Sequence, residues 1–159
     1  MTQSKHMIIF QEETWVQRPL NETFSFFNTP KNLSKLMPSF MKFTLITPEP
    51  IVMKEGAIFD YKIKLFGMPM RWQSYISYYN PPYQFVDIQL KGPHDYWHHE
   101  HSFSEQNGGT MITDRVSYRM PLGSLGSLAD KIIGSKINQR LFKHRDAFIK
   151  DHFQDTQLD

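Results

Sequence analysis

From residue 43 to residue 119 the sequence alternates with a period of two, and from Leu125 onward it repeats every three to four residues. A chain with that one switch has few folds open to it. The alternating region divides into candidate strands over 43–47, 57–66, 70–79, 84–91, 96–104 and 110–119. The breaks between them are turn chemistry: Phe66-Gly67-Met68-Pro69, Asn80-Pro81-Pro82-Tyr83, Gly92-Pro93-His94-Asp95 and Asn107-Gly108-Gly109. Strands joined by turns this short pair with their chain neighbours, as an antiparallel meander.

Ahead of the meander, residues 7–16 read as a further strand, with Ile8, Phe10, Glu12, Thr14 and Val16 on one face. Two short helices follow. The first has Asn21 as its expected N-cap, with Phe24 and Phe27 three apart. The second starts at Thr29-Pro30 with Pro30 in the first turn, carries Leu33, Leu36 and Met37, and stops at Pro38. At the other end Leu125, Leu128, Ala129, Ile132, Ile133, Ile137, Leu141, Phe148 and Ile149 mark the apolar stripe of a long helix. Lys131, Lys136, Lys143 and Lys150 lie off that stripe, and Gly134 is a weak point within it. The expected class is α+β: a curved seven-stranded antiparallel sheet wrapped on a long C-terminal helix, with two short helices after the first strand. At 159 residues this is one domain, 1–159, with a polar tail over 154–159 that is expected to fray.

Composition removes several functions. Lys and Arg number 18 against 16 Asp and Glu, a net charge of +2, which provides no field for nucleic acid or an anionic membrane. The absence of Cys excludes disulfides, thiol catalysis and thiolate metal sites. No run approaches the ~20 apolar residues of a spanning helix. No integral membrane segment is therefore expected, and the protein is read as cytoplasmic. The chain has 23 aromatic residues and 9 Met, at a mean hydropathy of −0.50. Its apolar material is bulky or flexible rather than aliphatic, which suits the wall of a cavity between sheet and helix.

The segment Gly67-Met68-Pro69-Met70-Arg71-Trp72, the stretch Asn80-Pro81-Pro82-Tyr83-Gln84-Phe85, the run Trp97-His98-His99-Glu100-His101-Ser102-Phe103 and the stretch Gly109-Thr110-Met111-Ile112-Thr113-Asp114 carry a resemblance. With the Pro121-Leu122-Gly123-Ser124 junction and Phe142-Lys143-His144-Arg145, they resemble a small bacterial ligand-binding and cyclase-like branch of the START-like helix-grip (SRPBCC) superfamily. The resemblance implies the helix-grip fold and a pocket between sheet and helix. Function does not follow from fold.

The strand over 96–104 is the most informative segment. Alternation puts Trp97, His99, His101 and Phe103 on one face, and the neighbouring strand puts Ile112, Asp114, Val116 and Tyr118 on its more apolar face. A buried hydrogen-bond network of His99, His101, Asp114 and Tyr118 is expected, because each unpaired buried polar group costs about 1–3 kcal/mol. Three readings of this cluster stand. It fixes strand register, or it is the polar floor of a ligand cavity, or it is an acid–base pair or a metal site of the H-x-H type completed by a carboxylate. No metal and no cofactor is assigned, and the catalytic candidates are His99, His101 and Asp114. Trp72, expected inward, joins Trp97, Phe103 and Tyr118 as ligand-binding candidates, and Gln89 is an option for the cavity. Met37 and Phe40 are expected at the rim.

The leading expectation is a protein that binds a small hydrophobic or aromatic molecule between sheet and helix. The alternatives are a polyketide cyclase or dehydratase that moves protons through a His–Asp pair, and an interaction module. For the last, Tyr75, Tyr79 and Tyr83 supply an exposed patch, with a homodimer as one partner.

Overall fold

The computed structural model describes residues 7–154. Seven strands form one antiparallel sheet: β1 (Ile8–Val16), β2 (Met41–Leu45), β3 (Ile58–Leu65), β4 (Met68–Asn80), β5 (Gln84–Lys91), β6 (Tyr96–Gln106) and β7 (Gly109–Arg119). Their spatial order is β1-β7-β6-β5-β4-β3-β2, so the expected meander closes with β1 laid against the last strand. Between β1 and β2 run α1 (Leu20–Phe27) and a 3₁₀ helix (Pro30–Leu36). After β7 come α2 (Ser124–Ala129), a π-helical turn (Asp130–Gly134) and α3 (Ser135–Gln154), continuous in direction. The sheet curls around this long helix in the helix-grip arrangement.

Two hairpins fix the register by turn chemistry. Leu65 pairs with Met68 around Phe66-Gly67, and Gln106 with Gly109 around Asn107-Gly108. All four turn residues have positive φ, as a two-residue turn matching the strand twist requires. The break expected over 66–69 is thus only two residues long, and Pro69 belongs to β4. It is tolerated because β5 pairs with β4 only from Gln73 onward, so β4 is an edge at Pro69. Register shifts at Gln73/Ser74 and Ile76/Tyr78 bend β4 and help curl the sheet.

The helix starts differ from expectation. Pro19, not Asn21, is the N-cap of α1, and Asn21 is exposed within it. The apolar burial is what governs: Leu20, Phe24, Phe26 and Phe27 all pack inward. The second short helix is 3₁₀ rather than α, with Pro30 in its first turn as expected. The residues 155–159 of the expected tail lie outside the described residues.

The solid part of the core sits at one end. Phe24, Phe26 and Phe27 meet Phe85, Phe103 and Ile112 of the sheet and Ile149 and Phe153 of α3. Rings of Phe24 and Phe103 pack edge to face at 5.3 Å. Toward the other end the helical stripe stops burying. Leu125, Leu128, Ile132 and Ile133 are 72 %, 57 %, 57 % and 60 % exposed. There the helix passes over a hollow instead of resting on the sheet. It is tied down by a polar clasp: Asp130 accepts from the Tyr118 hydroxyl at 2.8 Å, and Asn138 Nδ2 donates to the same oxygen at 3.1 Å. Gly134 permits this, since a Cβ there would lie 2.0 Å from Asp130 Oδ1.

Candidate functional site

The hollow between sheet and helix is a cavity of about 480 Å³, within the range of small-molecule sites. Its walls come from every layer: Phe26, Phe27 and Leu33 from the short helices, Phe59, Tyr61, Ile63 and Trp72 from the sheet, and Ile137, Leu141 and Phe142 from the helix. Nine aromatic residues and five of the nine Met line it.

Thr29, Asn32, Ser74, Asp130 and Asn138 add scattered polar groups to this wall, and one patch gathers a pair of imidazoles. On β6 the alternation turns Trp97, His99 and His101 inward, as the sequence suggests. Register then supplies carboxylates from both sides. Asp87 of β5 lies opposite His99, and Asp114 of β7 lies opposite His101. The hydrogen bonds run along the diagonals: His99 Nε2 to Asp114 Oδ1 at 3.0 Å, and His101 Nε2 to Asp87 Oδ2 at 2.9 Å. His101 Nδ1 also comes within 2.9 Å of Asp114 Oδ1, at an angle too oblique for a hydrogen bond. The two imidazoles stack with centroids 3.8 Å apart. From α3, Arg145 Nη2 donates to both oxygens of Asp114, at 3.2 and 3.0 Å. All five side chains are at most 17 % exposed.

Electrostatics partition the charge. Burial pushes the Asp114 carboxyl up, but Arg145 and the two imidazoles outweigh it and hold Asp114 well below the usual carboxylate range. Burial likewise opposes ionisation of Asp87, yet the hydrogen bond from His101 and the nearby cations hold it below its ordinary value. Burial and the neighbouring His101 push His99 down, despite Asp114 and Asp87. His101 goes the other way: burial lowers it, and contact with both carboxylates more than reverses that. With His101 protonated, the direction in which its carboxylate contacts push it, two carboxylates, one guanidinium and one imidazolium sum to zero.

A second aromatic group stands beside the polar patch. Trp72 and Trp97 meet edge to face at 5.1 Å, and His94 packs on Trp97 at 4.8 Å. Burial among these rings lowers the His94 imidazole to about 4.

Of the residues singled out from sequence, Trp72, Trp97, His99, His101 and Met37 line the cavity. Asp114 lies behind the imidazoles. Phe103 belongs to the solid core, and Tyr118 serves the Asp130 clasp instead of the histidine network. Phe40 stacks on Phe66 at 5.2 Å, outside the cavity lining. Gln89 clamps the β5–β6 loop, its Nε2 donating to the His94 carbonyl at 2.7 Å. The three tyrosines do not form one exposed patch, because Tyr79 packs on Phe24 and donates to Asn28 Oδ1 at 2.8 Å. Sequence reasoning missed Asp87 and Arg145. Alternation puts Asp87 on the face of Phe85, and helical spacing puts Arg145 between Phe142 and Ile149, but neither pattern marks these two as partners of the histidines.

No protein-family model and no curated protein matches this sequence. Solved structures do match over nearly the whole chain. Major latex-like protein 151 from Panax ginseng aligns with a TM-score of 0.69 at 12 % identity, covering 92 % of this chain and 97 % of that one. Protein Ms6760 from Mycobacterium smegmatis gives 0.65 at 14 % identity, covering 93 % of each chain. TTHA0849 from Thermus thermophilus gives 0.66 at 14 % identity, covering 89 % and 97 %. At these identities the likeness is one of fold. Among the described residues no helix is long and apolar enough to cross a membrane.

Proposed function

We propose that this chain binds a small hydrophobic or aromatic molecule in the sheet–helix cavity, oriented by the polar patch at His99, His101, Asp87 and Arg145, as a ligand-binding member of the START-like group. The observation that carries the reading is the cavity itself. About 480 Å³ is left open where the same 23 aromatic residues could have closed a core, and close packing is what an interior without a ligand adopts. Its lining is mostly apolar with a few polar groups, the pattern in which apolar area supplies affinity and polar groups set orientation. Arg145 Nε and His101 Nδ1 are buried without a hydrogen-bond partner. His101 Nδ1 is turned to Asp114, 2.9 Å away, whereas Arg145 lines the cavity, so a ligand carbonyl, carboxylate or hydroxyl that accepts from its Nε would relieve a cost of about 1–3 kcal/mol. The five Met of the wall suit ligands of varied shape.

The test is native mass spectrometry of the protein as isolated, together with titration by an environment-sensitive apolar dye. A bound small molecule or saturable one-to-one dye uptake is expected. Ile137→Trp, which pushes an indole into the cavity from the helix, should reduce dye affinity at least tenfold with the fold intact. Unchanged dye binding in the folded Ile137→Trp protein would count against the cavity as the site.

A further inference from the structure

We propose that Asp87, His99 and His101 form a binding site for a divalent transition-metal ion in the wall of the cavity. One donor atom from each of the three lies within 4.8 Å of the others. Asp87 Oδ2 is the hub, 2.9 Å from His101 Nε2 and 3.7 Å from His99 Nδ1. The latter separation is beyond hydrogen-bond reach, yet it suits two ligands of one ion.

The opposite ring nitrogens carry the argument further. His99 Nε2 and His101 Nδ1 both face Asp114 Oδ1, at 3.0 and 2.9 Å. Each imidazole therefore turns one nitrogen to Asp114 and the other to Asp87. A carboxylate hydrogen-bonded behind a ligating histidine, as Asp114 is behind His99, is how protein metal sites orient their ligands; at His101 the same carboxylate acts by charge. Arg145 holds Asp114 through both oxygens and neutralises it. The carboxylate left to meet a cation is Asp87.

Position agrees with this division. Asp87, His99 and His101 line the cavity, and Asp114 does not. The open side can then take water or an organic ligand. All three ligands stand on adjacent strands of a continuous ladder, which limits their drift. Two imidazoles and one carboxylate suit Zn²⁺, Co²⁺ or Fe²⁺ rather than Mg²⁺ or Ca²⁺, which prefer oxygen ligands. Donors about 2.1 Å from a common ion are at most about 4.2 Å apart. Both contacts of Asp87, 2.9 and 3.7 Å, fall within that span, and loading requires the His101–Asp87 hydrogen bond to give way.

This inference stands independently of the proposed ligand, and its test uses no ligand. Chelator-treated protein is titrated with Co²⁺, followed by its visible spectrum, and with Zn²⁺ in a calorimeter. One equivalent should bind, with Co²⁺ bands of a nitrogen and oxygen site. Asp87→Ala and His101→Ala should each weaken binding at least a hundredfold, and Asp114→Asn about 10–100-fold. His144→Ala and His152→Ala should leave it unchanged. As a check that needs no variant, Zn²⁺ should shift the ring nitrogens of His99 and His101 before those of any other histidine in NMR spectra. Absence of stoichiometric binding, first shifts at other histidines, or full affinity in a folded Asp87→Ala protein would overturn the proposal.

Discussion

Arg145 of α3 and Asp114 of β7 form an ion pair across the sheet–helix interface, with Nη2 3.0 Å from one carboxylate oxygen and 3.2 Å from the other. Their side chains are 5 % and 7 % exposed. The pair fixes where the helix sits on the sheet and holds the carboxylate against which both imidazoles are aligned. Removing one partner strands a buried charge. Arg145→Met should cost about 3–5 kcal/mol in denaturant unfolding. Replacing both, as Arg145→Met with Asp114→Leu, should recover much of that loss. A single-variant cost under about 1 kcal/mol, the range of exposed pairs, would mean that the pair is solvated in solution.

Gly134 tests the clasp that anchors the helix. Gly to Ala within a helix ordinarily stabilises by about 1 kcal/mol. Here the new Cβ would lie 2.0 Å from Asp130 Oδ1 and turn the carboxylate, whose Oδ2 accepts from Tyr118, out of place. Gly134→Ala should therefore destabilise, by about 1–3 kcal/mol for the lost buried hydrogen bond. Thermal melts of Gly134→Ala and Tyr118→Phe check it, and a stabilised Gly134→Ala protein would contradict the clasp.

The helical stripe divides into two halves that sequence spacing cannot tell apart. Ile149 is 1 % exposed and Leu125 is 72 % exposed. Ile149→Ala should cost about 2–5 kcal/mol, whereas Leu125→Ser and Leu128→Ser should stay within about 0.5 kcal/mol. Equal costs in chemical denaturation would show that the first half of the helix packs as tightly as the second.

His94 gives the pH prediction. Its imidazole has a pKa of about 4, lowered by burial, against the ordinary value of about 6.5 in the unfolded chain. The groups packed on it are neutral: Trp72, Trp97, the Tyr118 phenol and the Gln89 amide. Below about pH 6.5 the unfolded chain takes up a proton that the native protein refuses, so this contribution to stability is full above about 6.5 and declines as pH falls toward about 4. Each pKa unit corresponds to about 1.4 kcal/mol. NMR titration should place the His94 midpoint near about 4, and His94→Phe should flatten the stability profile over that window. A His94 midpoint near about 6.5, the unperturbed value, would contradict its burial.

The switch of period from two to helical spacing carries most of the architecture, because alternation along β6 and β7 and the turns at Phe66-Gly67 and Asn107-Gly108 report on local geometry alone. The inward pair His99 and His101 and the cross-strand placing of Asp114 are legible for the same reason. Asp87 and Arg145 are not singled out by such patterns. Their roles depend on which residue of β5 faces His99, and on how the helix is rotated over the sheet, and both are set by tertiary contacts. Tyr118 belongs to a different network from the expected one because its partner, Asp130, sits in a π-helical turn that no spacing rule anticipates. The exposed half of the stripe is hidden because a hollow has no signature in periodicity.

The most direct measurement of the central claim is a methyl NMR titration of the protein labelled at its Met with an apolar dye. Met37, Met41, Met53, Met70 and Met120 line the cavity, and Met7 and Met68 are 45 % and 73 % exposed. The account predicts saturable shifts of the five cavity methyls with Met7, Met68 and Met111 unmoved. Shifts confined to Met7 or Met68, or no saturable shift at the five, would contradict a ligand-binding cavity.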